Sequence, residues 1–275
     1  MNKFPVCPIF VPANKLDWVP KILASNADCI IFDLEDSVLL SQKELSRNEL
    51  YSYLKANKLD ILVLIRINPL DSDIGQADLA LFSGNTDIFD ALMLPKIEEL
   101  SVLANIPKVN VVLLIETPLA VKNLPLLAEN NQAVGIALGG ADLSASLGSD
   151  MSWDSLLFHR SSIVLEASIN NLFSIDSPFM SISSLDELKE ESLLSSKIGF
   201  NGKAAIHPSQ IEPILEAFLP TKNEIKEAKE ILIAFANASE GAVAFKGKMI
   251  DLPVVKSMEK KLRLAGIDPH DFDKY

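Results

Sequence analysis

The stretch VVLLIETPLAVKNLPLLAENNQAVGIALGGAD, residues 111–142, holds two short apolar runs, and each gives way to a carboxylate: Glu116 after the first, Asp142 after the second. The segment between them has helical periodicity, so the unit reads as strand, helix, strand, the connection that joins parallel strands. The pattern recurs outward in both directions. IIFDLED ends at Asp36, ILVLIRIN at Arg66 and Asn68, ALMLPK at Lys96, and GKAAIH at His207. Strand-like runs begin near Val6, Asp28, Ile61, Ala91, Asn110, Ala133, Leu172 and Lys203, which predicts eight strands in βα alternation. Alternation alone also fits an open doubly wound sheet. Eight units with polar residues at so many strand ends favour an α/β fold of the (β/α)8 TIM barrel type, whose reaction centre is built from the carboxyl ends of its strands.

The 275 residues suit one such barrel with an appendage. Residues 1–220 are read as a TIM-barrel catalytic domain and 221–275 as a C-terminal helical lid and oligomerisation segment. Helices are expected over 41–54, with Leu45, Leu50 and Leu54 on the apolar face, and over 185–198, with Ser183 or Ser184 as N-cap. A further helix is expected over 221–238, then the Gly-bounded EGAVAFKGKMIDLPVV and a last helix to about Ala265. This tail is too small to fold alone and should dock on the barrel or on a neighbouring subunit. The net charge of −12 argues against nucleic acid and anionic membrane surfaces as partners. Without a long apolar run or a leader pattern, a cytoplasmic protein is expected. Cys7 and Cys29 lack CxxC spacing and read as buried free thiols.

Glu116 and Asp142 end successive strands, so their carboxylates should lie side by side at the mouth. Two hard oxygen ligands with room for water are what Mg2+ requires; the alternatives are a helix cap at Glu116 and a turn contact at Asp142. The lack of a His cluster argues against zinc or iron. Arg66 follows a buried run, and its planar fork would hold a substrate carboxylate bidentately, pair with Asp33 or Asp36, or do both. Strand alternation sends Asp33 and Glu35 to one side and Asp36 to the other, one set facing the mouth as partners of a metal's waters. Helix capping before Ser41 is the alternative for this cluster. Lys96 and Lys203 are read as Schiff-base candidates or salt-bridged lysines, and His207 as an acid-base group or a hydrogen-bonded structural one. Gly139 and Gly140 permit close backbone approach, but neither a Walker lysine nor GxGxxG is present.

FVPA at 10–13, DLEDSV with Lys43 and Arg47 following, RIN, MLPK, IET, GGADLSASLG, HRS, GFNGKAAIHPSQI and GKMIDLP occur in an order that resembles the citrate lyase β-subunit-like branch of the HpcH/HpaI aldolase family, over nearly the whole chain. The resemblance implies a Mg2+-dependent barrel enzyme that makes or breaks carbon-carbon bonds by aldol or Claisen chemistry. Its partners would be a small oxo or hydroxy acid or an acyl-CoA or acyl-carrier thioester. It implies Glu116 and Asp142 as metal ligands, Arg66 on the oxygens of the bound acid, and Glu35 and Asp36 supporting the metal's waters. It also implies Asp251, in a lid often supplied by an adjacent subunit of a homo-oligomer, most simply a trimer, as the group exchanging a proton with carbon. Two departures accompany it. Val6 and Cys7 stand where family members commonly have Arg-Ser, which is read as a cation lost from the mouth, and Ala141 occupies an often acidic position. A non-catalytic subunit or small-acid-binding protein retaining the fold is the other reading.

Overall fold

The computed structural model describes residues 4–237 and 242–269. The strands β1 (Pro8–Pro12), β2 (Cys29–Asp33), β3 (Leu62–Arg66), β4 (Ala91–Leu94), β5 (Val111–Ile115), β6 (Ala133–Leu138), β7 (Phe173–Asp176) and β8 (Gly202–Lys203) lie in one parallel sheet in sequence order. The sheet closes on itself. Phe10 N–H donates to Ala205 O at 2.9 Å and Ala205 N–H to Pro8 O at 2.8 Å, so the last strand pairs with the first. This closure decides for the barrel over the open sheet.

Helices α1 (Val19–Leu23), α2 (Lys43–Ala56), α3 (Asp73–Ser83), α4 (Leu100–Ala104), α5 (Pro118–Ala128), α6 (Gly140–Leu147), α7 (Trp153–Ile169), α8 (Leu185–Ile198) and α9 (Ile211–Phe218) follow the strands. Their starts have local causes: Ser72, Thr117 and Ser152 each accept a backbone N–H of the first turn, as N-caps of α3, α5 and α7. The expected helix over 185–198 is α8, and Gly199 ends it at φ +113°, a conformation that an L side chain rarely adopts. Ser184, however, makes no side-chain cap bond. Residues 40–42 form a 3-10 turn, so α2 begins two residues later than expected; its buried stripe is Ser46, Leu50 and Leu54, spaced four apart, and Leu45 is left exposed. Inside the barrel, Ile31, Leu64, Met93, Leu114, Phe173 and Ile175 form the apolar core. Gly135 leaves the space that the Phe173 ring fills. Cys7 and Cys29 are both buried and free.

The chain divides into two compact units, Met1–Leu215 and Glu216–Tyr275. In the second, α10 (Lys222–Ala236) starts at a capping box in which Thr221 and Glu224 satisfy each other's backbone N–H. The expected end of this helix at Ala238, and Glu240 and Gly241 of the segment after it, lie outside the described residues. Between its helices, where a Gly-bounded segment is expected, β9 (Ala242–Phe245) and β10 (Lys248–Asp251) pair antiparallel as a hairpin. Lys246 and Gly247, at φ 47° and 78°, make its two-residue turn, the positive-φ pair that matches the twist of paired strands. Helix α11 (Leu252–Leu264) completes the unit, with Ile231, Leu232, Ile250, Val255 and Leu262 among its buried apolar residues. Among the described residues no helix is long and apolar enough to cross a membrane.

Candidate active site

Strands β2 and β3 are in register from Cys29 opposite Leu62 to Asp33 opposite Arg66, so an acid and a base finish side by side at the carboxyl end. Arg66 donates from Nε and Nη2 to the two carboxylate oxygens of Asp33, at 2.7 and 2.8 Å. Its Nη1 lies 3.1 Å from Glu35 and 3.3 Å from Asp36. The three carboxylates therefore converge on one guanidinium, where strand alternation divides them between two sides. The reason is that β2 stops at Asp33; residues beyond it lie in a turn, and a period of two no longer applies. The bidentate edge expected to meet a substrate carboxylate is taken by Asp33, and Nη1 faces Glu35 and Asp36, so a ligand shares the outer edge of Arg66 with those carboxylates. Burial works against the charge on Arg66, but the bonds and field of Asp33, then Glu35 and Asp36, outweigh it and raise its pKa. The guanidinium also packs over the Phe10 ring, 5.1 Å from its centre.

Glu116 directly follows β5 and is 1% exposed. It does not cap α5, a role held by Thr117. Its Oε1 accepts the Lys96 N–H at 2.9 Å, and Lys96 turns this donor toward it with φ at 52°, an uncommon conformation for a residue with a side chain. Gly139 makes the site possible. A Cβ there would stand 2.7 Å from Glu116 Oε2, so only glycine leaves the carboxylate its place. Asp142 lies in the first turn of α6, just after β6, rather than on a strand end. Glu116, Asp142, Asp33, Asp36 and Arg66 line one cavity of about 410 Å3 at the mouth of the barrel.

Burial, then the neighbouring carboxylates Glu35 and Asp142, push the Glu116 pKa up to about 8. Among the described residues Glu116 has no ion-pair partner. A buried carboxylate destabilised in this way beside a second one, both hard oxygen donors, fits a divalent cation. No group of three or more His, Cys, Asp or Glu side chains in a metal-holding arrangement occurs among the described residues. The donor set is thus that of an ion keeping most of its shell as water, as Mg2+ does, and the residues present fit it.

The remaining candidates divide. Lys96 Nζ lies 3.1 Å from Glu35; burial opposes its charge, yet Glu35 raises its pKa on balance, the opposite of the shift that an amine nucleophile needs. Lys203 is fully buried and donates to Asp176, Ser177 O and Glu191, each at 2.7 Å. It serves as a buried counter-ion. His207 caps a 3-10 turn, its Nδ1 accepting the Ser209 N–H. Asp251 ends β10 in the second unit and caps α11 by accepting the Val254 N–H at 3.3 Å.

Val6 does not stand where its motif suggests. It precedes β1 at the amino end of the barrel, where the N–H groups of Val6 and Cys7 donate to Asp28, which precedes β2. An arginine missing there removes no cation from the mouth, because the mouth is at the opposite ends of the strands. Ala141, the other departure, does line the cavity. One group escapes the sequence reading: Asp176, at the end of β7 and also lining the cavity, takes Lys203 on one oxygen and Arg160 Nε, at 2.9 Å, on the other. Its signal is present, since FSID ends in a carboxylate as the other strands do.

A family model described as HpcH/HpaI aldolase/citrate lyase matches residues 7–208. The mitochondrial citramalyl-CoA lyase of Rattus norvegicus is 29% identical, over 94% of this chain and 85% of that protein. A citrate lyase subunit β-like protein of Mycobacterium tuberculosis is 32% identical, over 94% of each chain. The crystal structure of CitE from Mycobacterium tuberculosis with magnesium, acetoacetate and coenzyme A superposes with a TM-score of 0.82 at 29% identity, covering 97% of this chain and all of that one.

Proposed function

Because the chain belongs to the HpcH/HpaI aldolase/citrate lyase family, we propose that it is a Mg2+-dependent carbon-carbon lyase that cleaves a β-hydroxyacyl thioester, or forms one, by Claisen-type chemistry. The observation that carries this reading is Glu116: a carboxylate raised to about 8, without a cation of its own, sharing a cavity with Asp142 and Arg66. Glu116 and Asp142 would hold the metal. When bound, Mg2+ supplies Lewis-acid stabilisation of the oxygen that gains charge as the bond breaks. Arg66 presents its outer edge to the same charge, and Asp33, Glu35 and Asp36 hold the guanidinium in that orientation. As the carbon-carbon bond breaks, the β-hydroxyl becomes a carbonyl and gives its proton to solvent water, and the released carbon takes one proton, so the cleavage is proton-neutral overall. Asp251 is the carboxyl group assigned to that second transfer, supplied by the next chain of a homotrimer.

A thioester is favoured over a free di- or tricarboxylic acid by the charge of the cavity. Among the described residues its lining holds a single cation, Arg66, already matched by carboxylates, and Phe10, Trp18, Met151 and Met180 add apolar surface. A second free carboxylate would meet no counter-charge there, whereas a thioester masks it. The relative from rat is named for citramalyl-CoA and the mycobacterial structure holds coenzyme A. Presented with a β-hydroxyacyl-CoA and with the corresponding free acid, the Mg2+-loaded protein should turn over the thioester at least about 100-fold faster, the discrimination a mismatched charge supplies. Faster turnover of the free acid would overturn the substrate assignment.

The trimeric arrangement has its own test. Inactive Asp251→Asn protein mixed with inactive Glu116→Gln protein, after subunit exchange, should regain about a quarter of wild-type activity or less, from mouths pairing two intact residues. Exchange without recovery would remove Asp251 of a neighbouring chain from the reaction.

A further inference from the structure

The turn carrying Glu35 and Asp36 is held from one side by a single lysine. Lys43, the first residue of α2, donates from Nζ to Leu34 O at 2.9 Å, Glu35 O at 2.7 Å and Asn68 Oδ1 at 2.6 Å. An ammonium has three protons to donate, so all are used, and none on a carboxylate. Asn68 reinforces the arrangement: its Nδ2 donates to Leu34 O at 3.0 Å and to Asp78 Oδ2 at 2.7 Å, and its backbone N–H also reaches Asp78 Oδ2. Arg47 closes the far end on Asp78 Oδ1 at 3.1 Å. A continuous chain of bonds thus runs from α2 and α3 to the two carbonyls on either side of the Glu35 Cα.

Lys43 is placed against its own electrostatic interest. A cation in the first turn of a helix opposes the helix dipole, and burial lowers its pKa despite Asp33, Glu35, Asp36 and Asp78 nearby. Local helix stability therefore gives no reason for a lysine here. Glu35, for its part, is 3% exposed, and among the described residues neither carboxylate oxygen has a well-formed hydrogen bond; its charge is met by ion contacts at 3.1 Å to Arg66 and Lys96. Its position is set by its backbone, whose N–H donates to Asp33 Oδ1 at 2.9 Å and whose carbonyl accepts the Val38 N–H at 3.2 Å; Lys43 is the group that ties the Leu34 and Glu35 carbonyls together.

We propose that Lys43 is a positioning residue for the reaction: by fixing the carbonyls of Leu34 and Glu35, it places the carboxylates of Glu35 and Asp36 against Arg66 and beside Glu116. The catalytic half of this assignment rests on the lyase reading; the positional half does not.

The test uses the full chain and two forms of one substitution. In metal-free Lys43→Met, backbone amide exchange across residues 33–37 should rise about tenfold or more while β5 and β6 keep their protection. With Mg2+ and substrate, kcat should fall about 10- to 100-fold with KM changed less than about threefold, the pattern of a misplaced catalytic group. Aminoethylation of the thiol introduced by Lys43→Cys rebuilds an ammonium of nearly the same length and should restore both the exchange protection and kcat. Cys7 and Cys29 are buried, and burial pushes their thiols up, so the folded protein reacts at the introduced one. Wild-type exchange and kcat in Lys43→Met would overturn the proposal. So would a folded, aminoethylated protein that regains neither. If wild-type protein showed no Mg2+-dependent turnover, the lyase reading would fail, while the exchange comparison, which needs neither metal nor substrate, would still decide the role of Lys43.

Discussion

Glu116→Gln should lose Mg2+ binding and drop turnover about 1,000-fold or more, the scale of removing a principal charge-stabilising element, while the metal-free protein becomes more stable. The two effects have one cause. Burial and the charges of Glu35 and Asp142 hold Glu116 at about 8 against an ordinary value of 4.5, so ionising it in the folded chain is unfavourable. In the unfolded chain it ionises near 4.5; in the folded one it stays protonated to about 8. Across that window the unfolded state has bound fewer protons, so this group's contribution to stability declines with rising pH by about 1.4 kcal/mol per unit and levels off above the folded value. The amide substitution removes the titration and flattens the profile. Urea denaturation of metal-free wild type and variant at pH 6 and pH 8 checks it: the variant's advantage should be larger at pH 8. Mg2+ competes with the same proton, so wild-type affinity should rise through this range, with nearly one proton released per ion bound at pH 7. Equal stability of the two proteins at both pH values would mean that Glu116 is not held in an unfavourable charge state.

Lys203→Met is expected to destabilise the fold by about 3–5 kcal/mol, the range found when one partner of a buried ion pair is removed. Asp176 is 0% exposed and its carboxylate is held by Lys203, Arg160 and Ser195. Burial pushes the Asp176 pKa up, but Lys203 first and Arg160 second overcome it, leaving it lowered. A depressed carboxylate stabilises the fold above its ordinary pKa and loses that contribution as pH falls through its folded value. Among the described residues, removing Lys203 leaves Asp176 with Arg160 as its one ion-pair partner and takes a partner from Glu191. Because methionine matches the length of the lysine stem, packing changes little and the loss reads out the charge. Denaturation at pH 7 measures it; a change below about 1 kcal/mol would reduce the network to a minor contribution.

The barrel is legible in the sequence because each strand ends as an apolar run meets a polar residue, and β2, β3, β5 and β6 carry that signature at Asp33, Arg66, Glu116 and just beyond Gly139. Closure is less so, since it depends on β8, only two residues long, meeting β1 through Ala205. The site residues are legible by type but not by pairing. Which carboxylate takes the fork of Arg66 depends on the register of β2 against β3 and on a turn that abandons alternation after Asp33. Val6 is easily assigned to the wrong end because a motif gives order along the chain, not direction along the barrel. The hairpin that ends at Asp251 has a signal of its own, Lys246-Gly247 between two four-residue strands, but between two helices the stretch reads as a Gly-bounded connection. Lys43 stands out only as part of a motif, because its function lies in contacts to carbonyls, which no side-chain pattern announces.

The most direct test of the central claim is a Mg2+ titration of the wild-type protein, Glu116→Gln and Asp142→Asn, with cleavage of a β-hydroxyacyl-CoA followed in the same samples. Cleavage should be absent without metal, rise in proportion to metal occupancy in the wild type, and be lost together with Mg2+ affinity in both variants. Metal-independent cleavage, or unchanged Mg2+ affinity in both variants, would contradict the account.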